Sequence, residues 1–321
     1  MKKDSRLTRR TFMQGLVGGA AAAGIGAKLH AAQAVAEFLK SPSGMPKRPL
    51  GKTGYEVCLF SLGGQATLEE QGKEESGIAI VNRAIDLGIN YVDTAAAYGR
   101  GLSETTIGKV MKSRRKEVFL ASKTHDRTYD GSMKLLEKSL KQLQTDHLDL
   151  WQLHNVRTRE DLEKIFGSDG AIKALEKARS EHMVRFLGIT GHRDPFILKE
   201  GIERYNFDTI LMALNAADKH QASFIDNLLP TAVAKSMGII GMKVYFRGMA
   251  SRIPGFKGME PFFRFALSHP ITTAVIGCDD TRQLEENVRI ASGFLPMADE
   301  ERNAFVRSIS PYARQLMYYK P

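Results

Sequence analysis

Residues 57–67, VCLFSLGGQAT, decide between two architectures. VCLFS is the apolar run of a buried strand, and two adjacent glycines, Gly63 and Gly64, follow it. An open doubly wound sheet would place a G-x-G-x-x-G turn here to wrap a dinucleotide's phosphates, and this spacing does not match. Strand-like runs recur downstream as NYVDTA, EVFLASKT, LDLWQLH, VRFLGIT, TILMALN, IIGMKVY and TAVIGC. Between them lie stretches with apolar residues three and four apart, such as EESGIAIVNRAIDLG, SMKLLEKSLKQLQ and SFIDNLLPTAVAKSMG, with glycine stops at Gly88 and Gly238. Eight strands alternating with helices over roughly 250 residues predict an α/β fold, a (β/α)8 TIM barrel. Upstream, RPLGKTGYEV at 48–57 reads as a β-hairpin leading into it.

Composition sets the class. With 43% hydrophobic and 26% charged residues the chain is an ordinary globular protein, long enough at 321 residues for a large core. The formal charge of +10 is uneven: residues 1–34 carry six cations against Asp4, and the rest is mixed, so nucleic-acid binding is not expected. Cys58 and Cys278 sit in strand contexts and read as buried thiols, with no zinc spacing. The N-terminus LTRRTFMQGLVGGAAAAGIGAKLHAAQA resembles a twin-arginine export signal, with Arg9, Arg10 and Phe12 in the matching positions. It is too short and glycine-rich for a permanent membrane anchor. Cleavage is expected between Ala34 and Ala36. The predicted organisation is a signal peptide at 1–34, a linker at 35–47 and the barrel at 48–321. The partner is then the export machinery for folded proteins, and the destination the periplasm or beyond.

Barrel sites gather at the C-terminal ends of strands. If Asp93 points inward, period-two alternation aligns it with Tyr91 and Ile89, Lys123 with Ala121 and Phe119, and His154 with Gln152 and Leu150. Neighbouring strands lie about 4.8 Å apart, so Asp93, Lys123 and His154 become adjacent tips, with Tyr98 on the loop leaving the first. A phenol of pKa about 10 is a poor acid until an ammonium stabilises its phenolate. Asp93 compensates the lysine, and His154 can orient a carbonyl oxygen. The alternatives are a metal-dependent hydrolase built on His125, His154, His192 and Asp93, a Schiff-base barrel on Lys123, and a non-catalytic dinucleotide-binding partner protein.

VDTAAAYG, ASKTH and LWQLHN together resemble the aldo-keto reductase family, and the likeness runs from RPLGKTGYEV to GCDDTRQLEENV. The resemblance implies an NAD(P)-dependent enzyme that exchanges hydride with a carbonyl or alcohol. Tyr98 would be the general acid, Lys123 its tuner, Asp93 the lysine's partner and His154 the carbonyl positioner. No metal site is implied. The cofactor, NADP or NAD, would meet Gly277, Cys278, Asp279, Asp280, Gln283, Glu286 and Asn287 at the eighth strand. Thr190 and Asn215 would face the nicotinamide amide, Lys243 or Tyr245 the ring, and Arg247 the pyrophosphate. Asp279 and Asp280 stand where the 2′-phosphorylated cofactor calls for cations, with Arg282 nearby.

Overall fold

The computed structural model describes residues 44–320. The expected export signal at 1–34, its cleavage site and most of the linker lie outside the described residues.

Two short antiparallel strands, β1 (Lys47–Pro49) and β2 (Glu56–Cys58), form the hairpin. Eight parallel strands then close a barrel: β3 (Phe60–Gly63), β4 (Tyr91–Asp93), β5 (Phe119–Thr124), β6 (Leu148–Leu153), β7 (Val184–Gly191), β8 (Thr209–Ala213), β9 (Gly238–Met242) and β10 (Thr273–Ile276), with β10 pairing back to β3. Outside them, in chain order, run α1 (Glu74–Asp86), α2 (Leu102–Arg114), α3 (Tyr129–Leu143), α4 (Arg159–Phe166), α5 (Ala171–Ser180), α6 (Pro195–Arg204), α7 (Phe224–Asn227), α8 (Leu229–Ala234), α9 (Glu260–Leu267), α10 (Thr281–Ser292), α11 (Asp299–Ile309) and α12 (Ala313–Leu316). The amphipathic pattern explains them. In α3, Thr128 caps the start by accepting from the Gly131 amide at 3.1 Å, and Ser132, Leu136, Ser139 and Leu143 form the buried stripe.

The hairpin closes the bottom of the barrel. Leu50 and Val57 join Tyr91, Phe119, Ala121, Leu150, Leu211 and Ile240 in one buried cluster, with Tyr55, Phe186, Met242 and Val275 packed against it. This is the inward face expected from period-two alternation. Tyr91 and Phe119 stack with centroids 5.3 Å apart. At the hairpin turn Gly51 has φ +55° and lies so near β9 that an added Cβ would sit 2.2 Å from the Gly238 amide nitrogen.

Two boundaries differ from expectation. SFIDNLLPTAVAKSMG is two short helices rather than one, because Pro230 has no N–H to carry a helix through and becomes the first-turn residue of the second. Gly238 therefore stops no helix. It opens β9 and leaves room for Leu50, whose Cδ1 would be 2.7 Å from an added Cβ.

Candidate active site

The tips of β4, β5 and β6 meet. Register pairs Asp93 with Ala121 and Lys123 with Gln152, so Lys123 leaves the sheet about two residues above Asp93 and folds down onto it. The ammonium uses all three donors: one to Asp93 Oδ1, one to the Thr94 carbonyl at 2.7 Å, one to the Tyr98 hydroxyl at 3.4 Å. Gln152 Nε2 donates to the second oxygen of Asp93 at 3.1 Å. Strand alternation places Gln152 inside the barrel, and the register gives it a partner. Its role is to fix the carboxylate.

Tyr98 reaches the cluster because its loop turns tightly. Gly99, Arg100 and Gly101 all have positive φ (+55°, +58° and +100°), and a Cβ on Gly99 would come within 2.5 Å of the Glu69 carbonyl. The Tyr98 ring lies 4.8 Å from Lys123 Nζ and makes an edge contact with His154 at 5.5 Å.

Burial and charge compete at each group. Burial pushes the Tyr98 phenol up and exceeds the downward pull of Lys123, so the hydroxyl is protonated at neutral pH and ready to donate. The neighbouring cation alone would lower the phenol; the loss of water around it outweighs that pull. Burial opposes the Lys123 ammonium, yet Asp93 and Tyr98 together raise its pKa, so it stays charged. Burial also works against the Asp93 carboxylate, opposed by Lys123 and the Gln152 amide, and the donors on both its oxygens suit the ionised form. His154 is held well below the usual histidine range by burial and then by Lys123, so it is neutral and presents one N–H.

A cavity of about 800 Å³ opens beside the cluster. Asp93 and Tyr98 line one part of it; Gly277, Asp279, Gln283, Glu286 and Asn287 line another, with Lys243, Tyr245 and Arg247 also on its wall. That volume lies within the range of cofactor sites. The donor set fits a dinucleotide: cations for a pyrophosphate, carboxylate and amide groups for ribose and adenine. Lys243 and Tyr245 both face the cavity, and the Tyr245 hydroxyl donates to Asn287 Oδ1 at 2.7 Å. Burial, then Arg247, lowers the Lys243 ammonium to about 8.

Other expected cofactor residues do not line this cavity. Cys278 is buried behind it, beside Asn287 Nδ2 at 3.5 Å. Asp280 caps α10 by accepting from the Gln283 amide at 2.8 Å and binds Arg282 at 2.9 Å. Thr190 Oγ1 accepts from the Asn155 amide at 2.8 Å. Asn215 Nδ2 donates to the Tyr319 hydroxyl at 2.9 Å and the Lys243 carbonyl at 3.2 Å, and its Oδ1 caps the Asp218 amide at 3.0 Å. The C-terminal tail thus meets Asn215, and His192 packs edge-on to Tyr319 at 5.5 Å. A buried ion pair between Lys320 and Asp218 anchors the tail. Neither that anchor nor Glu69, which faces Arg247 across 3.6 Å on the cavity wall, carries a signal in the sequence. Among the described residues no three or more His, Cys, Asp or Glu side chains are grouped to hold a metal ion, so His125, His154 and His192 do not form the triad a hydrolase needs.

A closed barrel whose residues 59–253 match the aldo/keto reductase family makes this chain a member of that family of oxidoreductases. Its relatives include the uncharacterised oxidoreductase YqkF of Bacillus subtilis, 28% identical over 316 residues, with 85% of this chain and 98% of that one covered. Among solved structures, the aldo-keto reductase AKR11C1 of Bacillus halodurans in its holo form superposes with a TM-score of 0.68 at 24% identity, covering 85% of this chain and 96% of that one. An aldo-keto reductase of Klebsiella pneumoniae in complex with NADPH gives 0.67 at 21%, covering 83% and 96%. At these identities the structural likeness supports the fold.

Proposed function

We propose that the chain is an NAD(P)-dependent carbonyl reductase or alcohol dehydrogenase, with Tyr98 as general acid and base. The observation that carries this reading is the Lys123 ammonium bonded at once to Asp93 and to the Tyr98 hydroxyl, beside a cavity of dinucleotide size. A nicotinamide dinucleotide held along the cavity by Lys243, Arg247, Gln283 and Asn287 would supply the hydride that reduces the carbonyl. His154, neutral, donates to the carbonyl oxygen and orients it. Tyr98 gives its proton to that oxygen as negative charge develops, and Lys123 stabilises the phenolate left behind. Asp93, fixed by Gln152, keeps the ammonium in place. In the oxidative direction the phenolate takes the alcohol proton back.

Tyr98→Phe tests the assignment. It should lower carbonyl reduction by a factor of about 10³ or more while leaving NAD(P)H binding by fluorescence within a few-fold. Turnover near that of the wild type would show that another group is the acid.

We also propose export through the twin-arginine pathway, on the strength of Arg9 and Arg10 in TRRTFMQ. That route carries folded proteins, which lets the dinucleotide be loaded in the cytoplasm and retained. Replacing both arginines by lysine should leave the protein in the cytoplasm on cell fractionation. Unchanged secretion would refute the route, and periplasmic protein that carries no nicotinamide by mass spectrometry would refute the loading.

A further inference from the structure

We infer that the site selects NAD(H) against NADP(H), and that Asp279 is the residue that decides it. The inference rests on the cofactor assignment above and concerns only its adenosine half.

Charge is unevenly spread along the cavity, although Glu69 and Glu70 also line it and Glu69 faces Arg247. Among the described residues lining it, the cations Lys243, Arg247 and Arg252 all belong to the segment after β9. The loop after β10 and the first two turns of α10 contribute two carboxylates, Asp279 and Glu286, and two amides, Gln283 and Asn287. The cationic stretch suits a pyrophosphate. The acidic and amide stretch suits adenosine, whose hydroxyls and ring nitrogens bond carboxylates and amides.

Asp279 is held in place rather than free to swing away. Its backbone carbonyl accepts from Thr67 Oγ1 at 2.8 Å. Gln283 grips it twice, accepting from its amide at 2.9 Å and donating to its carboxylate at 3.1 Å. That amide is therefore not available to an incoming phosphate. Nor is the one cation of this segment: Arg282 does not line the cavity, its side chain is 90% exposed, and it is bonded to Asp280.

A ribose 2′-hydroxyl meeting Asp279 donates a charge-assisted hydrogen bond. A 2′-phosphate, close to a dianion at neutral pH, meets two carboxylates and no cation from this wall. The same residues that favour one cofactor thus repel the other.

The experiment is a titration of the purified protein with NADH and with NADPH, read by nicotinamide fluorescence and needing no substrate. NADH should bind at least about tenfold tighter. Asp279→Ser should shrink the ratio of the two dissociation constants several-fold, and Glu286→Gln, which leaves the Gln283 grip intact, should shrink it in the same direction. NADPH binding as tightly as NADH in the wild type would overturn the inference while leaving the cofactor site standing. So would NADPH affinity that collapses in Arg252→Ala, since the opposite wall would then hold the 2′-phosphate. If neither nucleotide binds to protein that melts cooperatively, the cofactor assignment falls and the preference with it.

Discussion

Replacing Lys123 by methionine separates the catalytic from the structural work of the buried pair. The ammonium lies 3.4 Å from the Tyr98 oxygen. At an effective dielectric of about 20, a unit charge at that distance is worth about 5 kcal/mol to the phenolate, a ceiling of between three and four powers of ten in rate. Asp93 on the far side of the ammonium offsets part of this field, so a loss of about 10²- to 10³-fold in carbonyl reduction is expected. Stability should change separately. With both side chains almost fully buried, at 1% and 2% exposure, deleting the cation leaves an unpaired carboxylate, a cost of about 3–5 kcal/mol. Asp93 would answer by taking up a proton, since burial already pushes its pKa up. The folded state then binds a proton that the unfolded chain releases, so the variant should gain stability as pH falls from neutral toward about 4. The double variant Lys123→Met/Asp93→Asn removes the stranded charge. Its melting temperature should recover by roughly 5–15 °C over the single variant at neutral pH, with no recovery of rate. The assays are nicotinamide absorbance for turnover and thermal melts at several pH values. Turnover within tenfold of the wild type in the single variant, or recovered activity in the double, would refute the argument that the cation acts on the tyrosine.

Lys243, lowered to about 8, is charged below that pH and neutral above it. Dinucleotide dissociation constants measured by fluorescence should therefore rise between pH 7 and 9, and Lys243→Met should flatten that dependence. Lys320→Met should free the tail from Asp218, making the C-terminus sensitive to limited proteolysis. An unaltered digestion pattern would show that the Tyr319 contacts hold the tail alone.

How much of the site could be read in advance depends on how each contact is made. Asp93, Lys123 and His154 were legible as neighbouring tips because a strand's period of two and the barrel's strand order place them together, whereas Tyr98 is brought to them by the tight turn at Gly99–Gly101. Gln152 could be put inside the barrel but not given a partner, since register, not composition, brings its amide to Asp93. Thr190 and Asn215 were legible as polar residues at strand ends. What they bond was not, because the partners are the Asn155 amide, the next strand along, and a tail more than a hundred residues away.

The sequence by itself determined the barrel, the hairpin beneath it and the four groups at its mouth. Periodicity and chain order are local properties, and a closed parallel sheet leaves few ways to satisfy them. Only the tertiary structure decided the protonation balance at Tyr98, the outward turn of Arg282, the grip of Gln283 on Asp279 and the docking of the tail onto Asn215. Each of these depends on water excluded or on partners met across the fold. Solvent exclusion belongs to the packed whole, and no stretch of residues carries it alone.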